Sequence, residues 1–389
     1  MVYNVNIREE IFGATVMNLL TGKREYVDNK ELKKILDEKI FPLDSIINNC
    51  NEEINIKYTP LRNKNINNFS FADIAYIELT RACNLNCKHC LNNSGQIIPN
   101  QLNNDDLIKL INEFSSKGLQ EIRFTGGEPL VYQDIYELIN LATRLGLYTS
   151  IGTNATLITK DVAKKLKEAG LKKAIVSLDG TEKSHEEIRG KGTFEKTIEG
   201  VNNLKNNNID VRINAVVMKN NMEDIINLAK EMHKNKISLF IRRFIESGRG
   251  SLLKDNTLTK ADYDYFRDRL SFELKDGNYV NGHYLRNDEG IIHKIELPFK
   301  FIEGCKAGQR AIVIMPDGEL HLCGFLAAQG FKSLGNVRNI DDWDEYWSKV
   351  HQIDYLKKLR DNLENYNNLP EVQPTNCLAY VQKFLTCKC

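Results

Sequence analysis

The sequence of 389 residues has almost no net charge, +1 by formal count, although charged residues make up 27% of it. A chain without an excess of either sign shows no overall charge bias toward nucleic acid or an anionic membrane. It also lacks any run of 18 apolar residues, so no membrane-spanning helix is predicted. Residues 1–12 mix Asn, Arg and Glu with apolar residues, unlike a signal or transit peptide. We therefore expect a cytoplasmic protein that binds neither nucleic acid nor a membrane.

Cysteine is the residue type that the sequence does contain in an informative pattern, with nine residues in two groups and one isolated residue. The first group is Cys83, Cys87 and Cys90, at spacing C-x3-C-x2-C, and Cys50 stands alone. The second group comprises Cys305, Cys323, Cys377, Cys387 and Cys389. In a reducing compartment such clustering indicates metal binding rather than disulfides.

The first cysteine group has one ligand fewer than a closed metal site needs. A structural zinc site uses four protein ligands, and a closed iron–sulfur cluster uses four cysteines. Three cysteines on a four-iron cube would leave one iron open to another ligand. The group directly follows an apolar run, Ile74 to Thr80, which is typical of a strand. The alternative is a buried loop with coincidental cysteines, since free cysteine is often buried.

From residue 71 the sequence alternates short apolar runs with amphipathic helical patterns. Strands are predicted near 74–80, 121–125, 148–152, 173–178, 210–217 and 237–244. Helices are predicted near 104–117, 132–145, 159–169, 193–206 and 222–235. This alternation indicates right-handed βαβ crossovers and a parallel sheet. Six strands fit a partial (β/α)6 barrel, with an active site at the carboxyl ends of its strands.

The remaining segments are predicted to form smaller units around this α/β barrel. Residues 1–65 are typical of an α+β unit, with strands at Val2 to Ile7 and Ala14 to Leu20, a third strand at 25–27 and a helix at 31–41. Residues 71–245 form the barrel, 246–299 a connecting segment and 300–389 a C-terminal domain.

The cysteine loop resembles the signature C-x3-C-x-aromatic-C of the radical S-adenosylmethionine (SAM) superfamily, with His89 at the aromatic position. The resemblance implies a [4Fe–4S] cluster whose open iron binds the amino and carboxylate groups of SAM. One electron, from a donor such as flavodoxin or ferredoxin, then cleaves SAM into methionine and a 5′-deoxyadenosyl radical that takes hydrogen from the substrate. His89 is expected to pack on the adenine, the alternative being a loop histidine that faces solvent.

Residues 125–129, Thr-Gly-Gly-Glu-Pro, follow the second barrel strand and match the GGE motif of the same superfamily. Gly126 and Gly127 allow the backbone to approach a ligand closely. Glu128 is expected to accept a hydrogen bond from the SAM ammonium. The alternative is a strand-to-helix turn in which Glu128 and Pro129 start a helix.

Further polar residues lie at the ends of the third and fourth strands, and Asn214 lies on the fifth. In the enzymes that this chain resembles, residues placed like Ser177 and Arg189 contact the ribose and carboxylate of SAM. A guanidinium suits a carboxylate because it binds bidentately. The alternative is that Asp179 caps a helix and Arg189 lies at the surface. The predicted cofactor-binding set is His89, Gly126, Gly127, Glu128, Asn154, Ser177, Asp179, Arg189 and Asn214.

The second cysteine group resembles the start of the SPASM/twitch extension, which holds auxiliary iron–sulfur clusters. Cys305 is followed by twelve residues, Gly318, four residues and Cys323, with a hairpin turn at Pro316-Asp317-Gly318. A full SPASM domain needs seven or eight cysteines for two clusters, whereas five are present. We therefore expect one auxiliary cluster, a [4Fe–4S] cluster, in a shortened twitch-like domain. A zinc site built from the same thiols is the alternative.

The N-terminal unit resembles the elements with which enzymes that modify ribosomally made peptides bind a leader peptide at a hairpin edge. The alternative is a structural cap on the barrel. The sequence thus predicts a radical SAM maturase of a precursor peptide, with thioether formation first, epimerisation second and carbon–carbon crosslinking third. Epimerisation needs a hydrogen-donating thiol, for which Cys50 or a spare C-terminal cysteine could serve. A rival class is a non-catalytic, zinc-structured peptide-binding protein. Arg242 and Arg243 are substrate contacts or exposed residues.

Overall fold

The computed structural model describes residues 3–38, 54–63, 68–274 and 305–350 and the single positions 353, 358, 361, 362 and 365. The predictions that concern Cys50, Cys377, Cys387 and Cys389 lie outside these residues. Within the described ranges, no helix combines the length and the hydrophobicity that a membrane crossing requires.

The N-terminal unit is a four-stranded sheet in the order β3-β2-β1-β4, covered by one helix. Its elements are β1 (Val5–Glu10), β2 (Gly13–Asn18), β3 (Arg24–Asp28), α1 (Asn29–Glu38) and β4 (Ile56–Thr59). Strands β1, β2 and β3 are antiparallel, and β4 joins β1 in parallel. Helix α1 buries Leu32 and Ile35 against the apolar side chains of the sheet, as its predicted apolar face requires. The predicted hairpin and helix are present, with β1 three residues later than expected.

The barrel contains six consecutive parallel strands in the order β10-β9-β8-β7-β6-β5. The strands are β5 (Ile74–Glu78), β6 (Glu121–Thr125), β7 (Tyr148–Thr153), β8 (Lys173–Ser177), β9 (Asp210–Val217) and β10 (Ser238–Arg243). The helices are α2 (Asn104–Ser116), α3 (Ile135–Arg144), α4 (Lys160–Glu168), α5 (Glu182–Arg189), α6 (Thr193–Asn206) and α7 (Met222–Lys234). The prediction of a partial six-stranded barrel is confirmed. Helix α5 was missed because its eight residues are mostly polar and bury only Ser184, His185 and Ile188.

The C-terminal segment continues the barrel sheet. It contains α8 (Lys260–Glu273), β11 (Ala311–Ile314), β12 (Leu320–His321), α9 (Gly324–Ala328) and α10 (Trp343–Val350). Strand β11 pairs in parallel with β5 and antiparallel with β12, which confirms the hairpin predicted around Gly318. Short 3₁₀ turns lie at Pro129–Val131, Lys219–Asn221, Gly248–Asn256 and Val337–Asn339. Because β11 pairs with β5, the barrel sheet continues across the predicted domain boundary at residue 300. The division of the chain into separate domains stays a prediction.

A buried charged junction joins the N-terminal unit, the barrel and the C-terminal segment at Asp73. The Arg8 guanidinium donates to its Oδ1 atom at 2.7 Å, and the Tyr26 hydroxyl donates to Oδ2 at 3.0 Å. Burial raises the pKa of Asp73, but Arg24, Arg8 and Arg310 outweigh it and lower this pKa to about 2. Asp73 precedes β5 whereas the cysteine loop follows it, so the N-terminal unit lies at the opposite ends of the strands from that loop.

Replacing Asp73 by Ala is expected to lower the free energy of unfolding by about 3 kcal/mol, because buried arginines lose a carboxylate partner. Thermal melting under anaerobic conditions measures the change. Asp268→Ala is the control, since the side chain of Asp268 is 72% exposed, and its effect should stay within about 0.5 kcal/mol. A D73A variant that melts like the unmodified protein would contradict the role of the junction.

Candidate active site

A cavity of about 740 Å³ is lined by residues of all six barrel strands and by the loop that follows β5. Cys83, Cys87 and Cys90 all line it, as do Cys305 and Cys323 from the C-terminal segment. Within the described ranges, no group of three Cys, His, Asp or Glu side chains is close enough to hold a single metal ion. The described members of both cysteine groups thus line the same cavity.

The three thiols of the cysteine loop each lie beside a hydrogen-bond donor. The backbone N–H of Leu85 donates to Cys83 Sγ at 3.4 Å, and that of Ser94 donates to Cys90 Sγ at 3.3 Å. The Arg189 guanidinium lies 3.9 Å from Cys87 Sγ. Burial raises the pKa of the Cys83 thiol to about 11, so the free thiol is protonated. A bound metal deprotonates a ligating thiol, and the donors then suit the thiolate. This donor set fits an iron–sulfur cluster.

The two glycines after β6 allow that segment to pack directly on the cysteine loop. Gly126 has φ +139°, and a Cβ there would lie 2.4 Å from Thr80 O. A Cβ on Gly127 would lie 2.1 Å from Ala82 O. The N–H groups of Gly127 and Glu128 donate to these carbonyls at 2.7 and 2.9 Å. The close approach is thus to the chain's own loop. Both glycines also line the cavity, and their approach to a ligand stays a prediction.

Glu128 is buried and is not among the residues that line the cavity. Its carboxylate accepts hydrogen bonds from the Thr153 hydroxyl at 2.7 Å, the Asn154 N–H at 2.8 Å and the Leu130 N–H at 3.3 Å. Burial raises the pKa of Glu128 to about 7 although these bonds lower it. Glu128 caps the 3₁₀ turn Pro129–Val131. This agrees with the alternative prediction that Glu128 and Pro129 start a helical turn after the strand. Its contact with the SAM ammonium stays a prediction.

A ring of three polar side chains attaches the cysteine loop to the end of β7. Asn154 donates to Asn84 Oδ1 at 2.9 Å, and Asn84 donates to the Thr156 hydroxyl at 2.8 Å. The Thr156 hydroxyl in turn donates to Asn154 Oδ1 at 2.6 Å. Asn154 also lines the cavity. The sequence indicated Asn154 but not Asn84, whose spacing carries no signal for this contact.

Asp179 connects the cysteine loop with α5 and β9. Its Oδ2 accepts from Arg189 Nε at 2.6 Å and lies 2.9 Å from His89 Nε2, while Oδ1 accepts from the Val216 N–H at 2.8 Å. Burial opposes the charge, but Arg189 and His89 hold the pKa of Asp179 far below its usual range. The helix-cap alternative is wrong, since the N-cap position of α5 is Thr181. The surface alternatives are also wrong, because the side chains of His89 and Arg189 are only 7% and 11% exposed.

Polar side chains of β8, β9 and the cysteine loop lie together in this region. Ser177 and Asn214 line the cavity from β8 and β9, where they are paired in register. Asn214 Oδ1 and His89 Nδ1 are buried without a hydrogen-bond partner among the described residues. Buried polar atoms of this kind usually have a partner, so a bound polar ligand fits here. The specific contacts of Ser177, Asn214 and His89 with SAM stay predictions.

Arg249 was not identified from the sequence. Its Nε donates to Cys87 O at 2.8 Å, its Nη1 to Ser94 O at 2.7 Å and its backbone N–H to Cys90 O at 3.0 Å. Gly248, with φ +55°, lies so close that a Cβ would be 2.4 Å from Cys90 O. Arg249 therefore fixes the backbone of the cysteine loop. The neighbouring glycines indicated a loop, but nothing local indicates a partner some 160 residues away.

Cys305 and Cys323 lie in the wall that the C-terminal segment contributes. Burial, with the nearby Cys305, raises the pKa of Cys323 to about 11, and Cys323 Sγ accepts from the Phe325 N–H at 3.3 Å. A pair of half-buried thiols at a cavity is chemically suited to ligate a cluster. The other predicted ligands, Cys377, Cys387 and Cys389, lie outside the described residues, so the auxiliary cluster stays a prediction.

Comparison with known proteins connects this geometry to one family. The model of the radical SAM superfamily matches residues 77–232. The AdoMet-dependent heme synthase of Nitratidesulfovibrio vulgaris (strain Hildenborough) is 32% identical over 296 residues, which cover 70% of this chain and 77% of that protein. Mycofactocin maturase MftC of Mycolicibacterium smegmatis is 29% identical over 276 residues, or 69% of this chain and 68% of that protein.

The fold is also similar to that of a solved structure. Streptococcus suis SuiB bound to precursor peptide SuiA superposes with a TM-score of 0.66, at 21% identity, over 90% of this chain and 88% of SuiB. At that identity the likeness concerns the fold alone. The described fold is thus an arrangement already known from a solved structure.

Proposed function

This chain belongs to the radical SAM superfamily, and from that premise we propose that it modifies a ribosomally synthesised precursor peptide in the cytoplasm. The favoured reaction is a thioether crosslink between a cysteine sulfur and a carbon of another residue. SAM and its [4Fe–4S] cluster, when bound, supply the one-electron chemistry that removes a hydrogen atom from the substrate. Cys83, Cys87 and Cys90 would ligate that cluster, and a flavodoxin or ferredoxin would supply the electron.

The observation that carries the proposal is the presence of two cysteine groups in one cavity. The first group supplies three thiols, leaving an iron open for SAM. Cys305 and Cys323, with cysteines outside the described residues, would hold one auxiliary cluster. A second cluster beside the reacting groups could accept an electron or bind a substrate thiolate, and both roles suit thioether formation. The similarity to a mycofactocin maturase supports a peptide substrate.

The N-terminal sheet supports leader-peptide binding through its two edge strands, β3 and β4. An added strand would satisfy the unpaired backbone groups of such an edge. This sheet lies at the opposite ends of the barrel strands from the cysteine loop. The leader and the modified residue must then be separated by at least the length of β5, which has five residues and is about 17 Å long.

A second candidate function is oxidation of a tetrapyrrole. It is favoured by the 32% identity to a heme synthase over 70% of the chain and by the arginine-rich lining of the cavity. Epimerisation and carbon–carbon crosslinking of a peptide use the same radical chemistry. The zinc-structured, non-catalytic alternative would require zinc in place of iron.

Co-expression with the short open reading frames next to its gene tests the proposal. A thioether product is lighter by two hydrogens and has one thiol fewer to alkylate, as mass spectrometry measures. A loss of two hydrogens with every thiol still alkylated indicates a carbon–carbon crosslink, and deuterium uptake from D₂O indicates epimerisation. The matched control is the enzyme with Cys83, Cys87 and Cys90 replaced by Ala. If every peptide remains unmodified while a tetrapyrrole is oxidised, the peptide proposal is wrong.

A further inference from the structure

Residues 247–249, which follow β10, hold the backbone of the cysteine loop at three carbonyls. Arg249 donates through Nε to Cys87 O at 2.8 Å and through Nη1 to Ser94 O at 2.7 Å. Its backbone N–H donates to Cys90 O at 3.0 Å. Two of these carbonyls belong to cysteines that are expected to ligate the cluster. A displacement of residues 247–249 would therefore move the backbone that carries two of the three thiols.

The same residues are also attached to α9 in the C-terminal segment. The Ser247 hydroxyl donates to Ala328 O at 2.6 Å, and Ser247 is buried. Ala328 is the last residue of α9. The last carbonyls of a helix have no acceptor role within it, so the hydroxyl satisfies a group that α9 itself leaves unpaired. Ser247 thus joins residues 247–249 to a helix that lies about 80 positions later in the sequence.

Helix α9 begins at a cysteine of the second group. Cys323 is its N-cap residue, and Cys323 Sγ accepts from the Phe325 N–H at 3.3 Å. Cys323 therefore holds the first turn of α9, and Ser247 holds its last residue. With five residues, α9 is about 7.5 Å long. Because rigid secondary elements carry energetic coupling between sites, a displacement of Cys323 would also displace the carbonyl that Ser247 binds.

We propose that Ser247 is a positioning residue for the cysteine loop, and that it makes the geometry of this loop depend on the ligation of Cys323. The connection runs from Cys323 through α9 to Ser247, and from there through Arg249 to the loop. The inference rests on the proposed function only in that both cysteine groups bind iron. A chain without iron at the second group is then expected to bind SAM more weakly at the first.

Ser247→Ala in the enzyme reconstituted under anaerobic conditions tests this role. SAM binding, measured by equilibrium dialysis, and the rate of 5′-deoxyadenosine formation should each fall about tenfold, the lower end of the effect of losing a group that orients metal ligands. The EPR spectrum of the reduced loop cluster with SAM should change as well. Ser247→Thr keeps the hydroxyl and should retain SAM binding. Ser251→Ala is the matched control, since the Ser251 hydroxyl donates to Gly248 O within the same turn, and it should leave SAM binding unchanged.

A double-mutant cycle tests whether the second cysteine group acts through Ser247. Cys305→Ala with Cys323→Ala should weaken SAM binding about tenfold when Ser247 is present. In the S247A background the same two substitutions should cause no further loss, because the connection is already broken. Equal losses in both backgrounds would show that the two sites contribute independently.

The outcomes separate the positioning role from the proposed reaction. Iron content and melting temperature confirm that S247A is folded, and if it loses the loop iron, recovery of that iron in S247T carries the test. Unchanged SAM binding in S247A overturns the inference, as do an equal loss in S247T and independent losses in the cycle. The predicted losses without any modified peptide overturn the peptide proposal and leave the positioning role standing. A modified peptide with unchanged SAM binding in S247A overturns the positioning role alone.

Discussion

Replacing Cys83, Cys87 and Cys90 together by Ala is expected to abolish formation of 5′-deoxyadenosine from SAM. It should also lower the iron content of the reconstituted chain from about eight to about four atoms, the content of one remaining [4Fe–4S] cluster. The three thiols are the donors that the loop places at the cavity, and alanine cannot ligate iron. Iron and sulfide analysis, with chromatography of the nucleoside after reduction by dithionite, measures both effects.

The loss should be chemical and not a consequence of unfolding, because backbone contacts hold the loop independently of its thiols. Arg249 donates to the carbonyl of Cys87, and the N–H groups of Gly127 and Glu128 donate to residues just before the loop. Cys305→Ala with Cys323→Ala is the matched control, which should lose the auxiliary irons but keep those bound by the loop. Continued 5′-deoxyadenosine formation by the triple variant would refute the ligand assignment.

The barrel was predictable because its strands are short buried runs with local signals. Ala174 to Leu178 is such a run, and β8 is observed at Lys173–Ser177. Helix α5 was missed because it carries little apolar periodicity. Two of its residues, His185 and Arg189, make hydrogen bonds with Asp179. Periodicity thus identifies elements that bury apolar surface, and it misses those held by polar contacts.

The site was predictable in its residue types but not in its connections. The spacing of the three cysteines and the Gly126-Gly127 pair indicated where the loops are. It could not show that the Glu128 carboxylate accepts hydrogen bonds from Thr153 and Asn154, or that Arg249 reaches back to the cysteine loop. Such contacts join residues far apart in sequence and depend on the complete fold. The same is true of Asp73, whose partners come from both the N-terminal unit and the C-terminal segment.

Asp179→Asn is expected to lower the rate of 5′-deoxyadenosine formation by about 10-fold to 100-fold, the usual effect of losing a residue that orients metal ligands. Both carboxylate oxygens of Asp179 face donors: Arg189 and His89 at Oδ2, and the Val216 N–H at Oδ1. The side-chain NH₂ of an asparagine would therefore face a donor in either orientation of its amide. The buried Arg189 charge would then lack its partner. Breaking such a pair lowers the free energy of unfolding by about 3–5 kcal/mol.

The pH dependence of this stabilisation follows from the lowered pKa of Asp179. Its pKa in the folded chain is far below the value of an unfolded aspartate, near 4. Its contribution to stability is therefore complete above about pH 4 and is lost only as the pH falls through the folded pKa. The difference in melting temperature between the unmodified protein and D179N should stay constant from about pH 5 to 8.

Asp224→Asn is the control, since its bond from the Thr181 hydroxyl survives the change. A D179N enzyme with full iron content and an unchanged rate would show that Asp179 does not position the cysteine loop.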